Sequence, residues 1–184
     1  ELTNAETVKL MLNGKLISVK PVDKYDMVEW TVPYQPGRLE AIGYDNGKKV
    51  SRFMVETTGM PVRLELIADR PSLAGDGYDA MPVTVRALDD KGRAVPTANI
   101  PVTFEVAGPG EIIGLGNGNP NSHEPEKGNQ RKLFNGLAQV IVQSSFNGNG
   151  TLVLKARSTG LKPAEISIPV NKTVQIHSVP VVVP

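Results

Sequence analysis

The sequence predicts an all-β chain of two sandwich domains in tandem, and three observations carry that prediction. Apolar residues, mostly Val, Ile and Leu, alternate with polar ones, the pattern of strands that bury one face. Gly (18) and Pro (15) interrupt the 184 residues every few positions. Gly supplies positive φ and Pro presets φ at about −65°, which is the chemistry of tight turns. The first 58 residues contain no segment with the helical period of about 3.6 residues. Hydrophobic residues make up 40% of the chain, enough for packed cores and too many for wholesale disorder.

Thr7 to Leu16 carries Val8, Leu10 and Leu12 on one face and turns at Asn13-Gly14. Alternation running into Asn-Gly is the strongest short-range hairpin signal. Ile17 and Val19 continue on the return strand, and Met27 to Val32 alternates again, with Val28, Trp30 and Val32 together. Pro33, Pro36 and Gly37 make a turn, Arg38 to Tyr44 reads as the next strand, Asp45-Asn46-Gly47 as a second hairpin turn, and Lys49 to Thr57 closes the module. That makes about five strands where a complete sandwich has roughly seven. The first domain, 1–58, is therefore expected to be truncated at its N-terminus, in keeping with a chain that opens in mid-strand on Glu1-Leu2-Thr3-Asn4. On this reading any targeting signal and catalytic machinery lie upstream.

Thr58-Gly59-Met60-Pro61 reads as a linker, and the strand pattern restarts in a second domain, 59–171. Strands are expected over Val62 to Ala68, Met81 to Asp89, Ile100 to Val106, Gly136 to Ser144, Gly150 to Arg157 and Ala164 to Val170, with a brief apolar piece over Glu111 to Leu115. Ser72 to Asp79 reads as a polar, Gly-rich loop and Gly116 to Arg131 as the least regular stretch. The tail, 172–184, is too rich in Pro for a central strand and reads as an edge segment or a tether.

Charge and composition exclude several function classes. The net charge is +1, from 20 basic and 19 acidic residues, interspersed with no basic stripe, so no nucleic-acid partner is expected. The chain has no Cys, which excludes disulfides, thiolate metal sites and a Cys nucleophile. No apolar run reaches membrane-span length, so no membrane partner is expected, and no cofactor either.

The order Asp90-Lys-Gly-Arg-Ala-Val-Pro96, Val102-Thr-Phe-Glu-Val106, Gly136-Leu-Ala-Gln-Val-Ile-Val142 and Gly150-Thr-Leu-Val-Leu-Lys-Ala156 resembles bacterial immunoglobulin-like domains of the invasin type. A more specific likeness lies in Gly114-Leu-Gly-Asn-Gly-Asn-Pro-Asn-Ser-His-Glu-Pro125 and Gln130-Arg-Lys-Leu-Phe-Asn-Gly-Leu-Ala138. It is similar to a loop near the C-terminus of bacterial glycoside hydrolase family 2 enzymes of the β-galactosidase type. Val8-Lys-Leu-Met-Leu-Asn-Gly-Lys15, Trp30-Thr-Val-Pro-Tyr34, Pro36-Gly-Arg-Leu39 and Ala41-Ile-Gly-Tyr44 resemble the sandwich preceding that loop.

The resemblance implies two immunoglobulin-like sandwiches that form a non-catalytic C-terminal accessory module. Its partner would be the upstream catalytic barrel of the same polypeptide, where two glutamates cleave β-glycosides with retention. Such a barrel needs roughly 200 residues of βα units, so the catalytic pair maps to no position here. A periplasmic or secreted location follows from the same resemblance.

The candidate site is the polar loop 114–131, with Asn117, Asn119, Asn121, Ser122, His123, Glu124 and Arg131 as substrate-binding residues. Their planar donors and acceptors suit sugar hydroxyls, and loops on rigid scaffolds often carry binding groups. The competing reading gives Asn and Gly to backbone geometry and His123 to a neighbouring carbonyl. Glu124 and Glu126 with Asp76 and Asp79 offer oxygen ligands of the kind Ca²⁺ takes, but lack EF-hand spacing, and turn chemistry accounts for them equally. Ser122 beside His123 makes no hydrolase, since neighbours on an extended chain point apart and no Gly-x-Ser-x-Gly elbow is present. Trp30 with Tyr34 and Tyr44 reads as an aromatic sugar platform or, preferably, Trp30 as core beside Val28 and Val32. Phe104 and Phe134 read as core, and Asn171-Lys-Thr173 matches a glycosylation sequon that means little in a bacterial protein. Three functions remain in competition: an accessory scaffold, a carbohydrate-binding module and an adhesin-like spacer.

Overall fold

The structure is a computed structural model that describes residues 3–23 and 25–173. The tail expectation falls almost wholly outside the described residues. Every regular element described is a β-strand, and the chain divides into two compact units, Glu1–Thr57 and Thr58–Pro184.

The first unit has one antiparallel sheet built from β1 (Thr7–Leu12), β2 (Lys15–Pro21), β3 (Arg38–Asp45) and β4 (Lys48–Glu56), in the order β2-β1-β3-β4. Asn13 and Gly14 (φ 51° and 80°) and Asn46 and Gly47 (φ 47° and 74°) close its two hairpins. Left-handed conformation at both central residues is the type I′ geometry whose twist matches that of paired strands. Val8, Leu10 and Ala41 form the buried centre of one face.

Met27 to Val32 corrects the strand expectation: the segment joins no sheet among the described residues. Alternation records a buried face and does not by itself place a segment in a sheet. Trp30 and Val32 pack down on Val8, Leu10 and Ala41. The Trp30 indole N–H donates to Ser18 Oγ (2.6 Å), and Lys20 Nζ lies 5.4 Å from the ring centroid. Trp30 is thus a partly buried packing residue. Tyr44 shares no platform with it, because β3 puts Tyr44 on the opposite face from Ala41, where Lys9 Nζ sits 4.4 Å over its ring.

The second unit is a two-layer sandwich. One sheet runs β5-β7-β11-β9, from β5 (Arg63–Ala68), β7 (Ala80–Leu88), β9 (Gly110–Gly116) and β11 (Leu137–Ser144). The other runs β10-β8-β12-β13-β6, from β6 (Leu73–Ala74), β8 (Pro101–Ala107), β10 (Gln130–Lys132), β12 (Gly150–Arg157) and β13 (Ala164–Asn171). Pairings within both sheets are antiparallel, apart from β13 with β6. Period-2 alternation puts Met81, Val83, Val85, Val140 and Val142 of the first sheet against Val102, Phe104, Leu152, Leu154 and Ile168 of the second in one continuous core. The short edge strands β6 and β10 lie inside stretches the sequence presents as loop, because two or three residues show no period. Phe134 also departs from expectation: it is half-buried and bonds Leu137 across a tight turn instead of entering the core.

Register fixes which loops share an end. Arg63 pairs with Leu88, Leu137 with Arg86 and Gly116 with Gln139. The entry segment from Thr58, the turn after Leu88 and the loop after Gly116 therefore lie at one end of this sandwich. The loops around Gly77 and Phe146 lie at the other, where Ala80 pairs with Gln143 and Gly110 with Ser144.

Candidate functional site

Thirteen-residue loops are uncommon between adjacent strands, and the loop joining β9 to β10 is held in shape by its own side chains. Asn117 Oδ1 accepts the Asn119 N–H (3.0 Å), and Asn119 Oδ1 accepts the Asn121 N–H (3.0 Å), two successive Asx turns. Ser122 N–H donates to Asn119 O (3.1 Å). Ser122 Oγ donates to Glu124 Oε2 (3.3 Å), and Glu124 Oε1 accepts the Lys132 N–H (3.2 Å). Leu115 N–H donating to Glu126 O (2.7 Å) ties the far limb back to β9.

Arg131 is the brace. Placed by β10 opposite Val102, it is 5% exposed. Its Nη1 donates to Glu124 O (2.8 Å) and Pro125 O (3.4 Å), and its Nη2 to Asn117 Oδ1 (3.3 Å). Its Nε is buried without a hydrogen bond, 4.0 Å from Glu124 Oε2. A buried guanidinium with carbonyl partners organises planar loop geometry, because its donors form a rigid fork.

Of the seven residues singled out from sequence, five direct polar groups into the loop itself: Asn117, Asn119, Ser122, Glu124 and Arg131. Asn121 and His123 are exposed, and their side chains make no hydrogen bond among the described residues. Sequence pattern does not separate braces from presented groups, since both use the same residue types. The chemistry on offer is hydrogen bonding by an amide and an imidazole on a preshaped loop.

Cation ligation has no support in the arrangement. Among the described residues no three His, Cys, Asp or Glu side chains cluster as a metal site. Glu124 and Asp76 lie at opposite ends of the sandwich. Asp76 Oδ1 accepts the Tyr78 and Asp79 N–H groups (both 2.8 Å), which hold its carboxyl below the ordinary range. Asp79 in turn pairs with Arg70 and caps the Ala74 N–H (2.7 Å).

Sequence inspection also passed over Asp89, which lies at the same end as the loop. Its carboxylate is fully buried and gathers the N–H groups of Gly59 (2.9 Å), Lys91 (3.0 Å) and Arg93 (2.9 Å) together with the Arg93 guanidinium (2.7 Å from Nη2). Its signal in the sequence is the run of turn residues Asp89-Asp90-Lys91-Gly92.

Replacing Arg131 by Ala is expected to free the loop while leaving the sandwich folded. Hydrogen exchange of the 117–126 amides should accelerate at least about tenfold, with the amides of β11 unchanged. Equal acceleration in both would show that Arg131 supports the whole unit rather than the loop.

With the geometry established, comparison with known proteins gives three results. Residues 64–167 match the family described as glycoside hydrolase family 2 C-terminal domain 5, and residues 2–51 match a domain of unknown function. The β-galactosidase BoGH2A of Bacteroides ovatus is 39% identical over 165 residues, 89% of this chain and 19% of that protein. The crystal structure of a glycosyl hydrolase family 2 member from Bacteroides cellulosilyticus superposes with a TM-score of 0.87 at 32% identity, over 93% of this chain and 22% of that one. A β-glycosidase from Bacteroides vulgatus superposes with a TM-score of 0.84 at 28% identity, over 91% and 21%. The chain spans about one-fifth of the length of these relatives.

Proposed function

The chain belongs to glycoside hydrolase family 2, as a C-terminal domain of that family, and from this premise we propose that it is a non-catalytic accessory module of a β-galactosidase-type enzyme. Its two units scaffold the catalytic barrel, and the loop joining β9 to β10 contributes to the rim of the substrate site. Catalysis itself belongs to a barrel outside these residues.

One observation carries the loop's role. Asn121 and His123 stand exposed on a loop that Arg131 braces from within, and that loop leaves the sandwich at the end where the chain enters it. Fixing the loop in advance lowers the entropy cost of any contact it makes. An imidazole and an amide can each both donate to and accept from sugar hydroxyls.

His123→Ala in the full-length enzyme is expected to raise KM for a β-galactoside about tenfold with kcat little changed, the pattern of a lost contact made equally in the ground and transition states. An unchanged KM would remove the loop from the substrate site and leave a pure scaffold. A calorimetric titration of the 184-residue chain alone with galactose, lactose and a β-galactan should give no saturable heat at millimolar ligand. Saturable heat that His123→Ala abolishes would instead identify a carbohydrate-binding module.

A further inference from the structure

Two aromatic side chains stand in water at the end of the second unit opposite the loop at His123. Tyr78 is 82% exposed and Phe146 63% exposed, although rings of this size contribute most when covered. The loops that carry them are joined at the backbone. Asp76 bridges to Phe146, the Gly77 N–H donates to Ser144 Oγ (3.3 Å), and the Gln143 side-chain amide donates to Gly77 O (3.1 Å). A Cβ on Gly75 would stand 1.9 Å from the Gly148 carbonyl oxygen, and one on Gly77 3.1 Å from the Phe146 nitrogen. Glycine at both positions is what lets the two loops approach so closely. Asp76 Oδ1 accepts the Tyr78 and Asp79 N–H groups and fixes the turn from within. A stiff base that holds two rings outward is how a scaffold presents binding groups.

The size of the patch decides what covers it. A fully buried aromatic side chain removes about 150–250 Å² from water, so two rings supply at most about 500 Å². A stable protein interface needs about 800 Å² on each partner, which a second copy of this chain docked here would not reach. Two ring faces beside a carboxylate suit a smaller object that is apolar on its faces and hydroxylated at its edge, a pyranose. In a β-linked glucan every ring hydroxyl is equatorial, so axial C–H groups make both faces of each sugar apolar. A galactosyl ring carries O4 axially and loses that character on one face.

We propose that the tip formed by Tyr78 and Phe146 binds a β-linked glucan chain, holding polymer on the enzyme away from the site of cleavage. The ring faces, negative at their centres, attract the axial C–H groups of the sugar. The Asp76 carboxylate beside Tyr78 gives two N–H groups one oxygen and accepts sugar hydroxyls with its remaining lone pairs. Each ring contact is weak, and repetition of the sugar along the polymer raises the effective concentration at the tip. The choice of a carbohydrate rests on the chain's place in a glycoside hydrolase. The site itself is independent of the loop at His123, so either can fail without the other.

Titration of the 184-residue chain with cellohexaose at millimolar concentration, followed by amide chemical shifts, should move residues 76–79 and 145–148 saturably. Tyr78→Ala and Phe146→Ala should each weaken this binding at least about tenfold, the loss of one stacked ring. Tyr78→Phe should keep it, since the ring remains. Both side chains are exposed, so an unchanged melting temperature is expected and shows that each variant is folded. Galactose, lactose and a β-galactan should leave the same amides unmoved. Tip amides that do not respond to cellohexaose overturn the proposal, as does binding that neither alanine variant weakens. An equal response to the β-galactan overturns the glucan assignment and the proposal with it. Self-association that moves the tip amides and disappears in Tyr78→Ala assigns the rings to a second copy and overturns it equally.

Discussion

Phe104→Ala is expected to destabilise the second unit by about 3–5 kcal/mol, the cost of emptying a large aromatic from a core that relaxes only partly. Phe104 is 1% exposed, and the residue opposite it on β12 is Ala156. A small cross-strand neighbour offers no bulk to swing into the space, which favours the upper part of that range. The Phe104 N–H also donates to Asn129 O (2.7 Å) at the root of the long loop, so loss of packing at this position is transmitted to the candidate site. Urea unfolding measures the change through the midpoint at constant slope. A loss under about 1 kcal/mol would mean that the sheets close over the gap, contrary to the close packing expected of such a core. Phe104→Leu should lose less than half as much, since most of the volume stays.

Asp89→Asn is expected to lower the melting temperature of the second unit by on the order of 10 °C. Burial by itself would raise the Asp89 carboxyl pKa. The Arg93 side chain and the N–H groups of Gly59 and Arg93 override burial and hold the group well below the usual carboxylate range. The amide variant keeps the shape but loses the charge, leaving Arg93 without its carboxylate. It also replaces one acceptor by an NH₂ facing donors.

Because the folded pKa lies below the unfolded one, Asp89 contributes stability that is complete above the unfolded carboxyl value of about 3.9. That stability drains as pH falls further, through the lower folded value. Calorimetry from pH 7 to pH 2 should show the wild type converging on the variant below about pH 4. A gap that stays constant across this range would show that Asp89 acts through shape alone. Asp76, held low by the Tyr78 and Asp79 amides, titrates in both proteins and so cancels in the comparison.

Much of the fold was legible because its causes are local. Asn13-Gly14 and Asn46-Gly47 demand the hairpins that the structure shows, and alternation located the long strands of the second unit to within a residue or two. Where the cause is not local, legibility fails. The strand expected over Met27 to Val32 has the right side-chain pattern yet belongs to no sheet among the described residues, because pairing depends on residues distant in sequence. β6 and β10 exist because longer strands offer them an edge, and so few residues carry no signal of their own.

The candidate site divides in the same way. The irregular, polar character of loop 114–131 and its seven residues were read from sequence together with the family likeness. The buried position of Arg131, which turns it from a surface donor into the brace of the loop, comes from β10 pairing with β8.

By itself the sequence determined an all-β chain in two units, the hairpin turns, the inward faces of the long strands and kinship to glycoside hydrolase family 2. These follow from period, turn chemistry and motif order, all of which act between near neighbours along the chain. Only the tertiary structure decided which polar groups of the loop are turned inward and which, Asn121 and His123, remain available. It alone joined Asp89 to Gly59 thirty residues away and laid Trp30 against Val8, Leu10 and Ala41 outside the sheet's strand order. Burial and hydrogen-bond satisfaction are properties of neighbours in space, and a side chain's type does not reveal them until the sheets have closed.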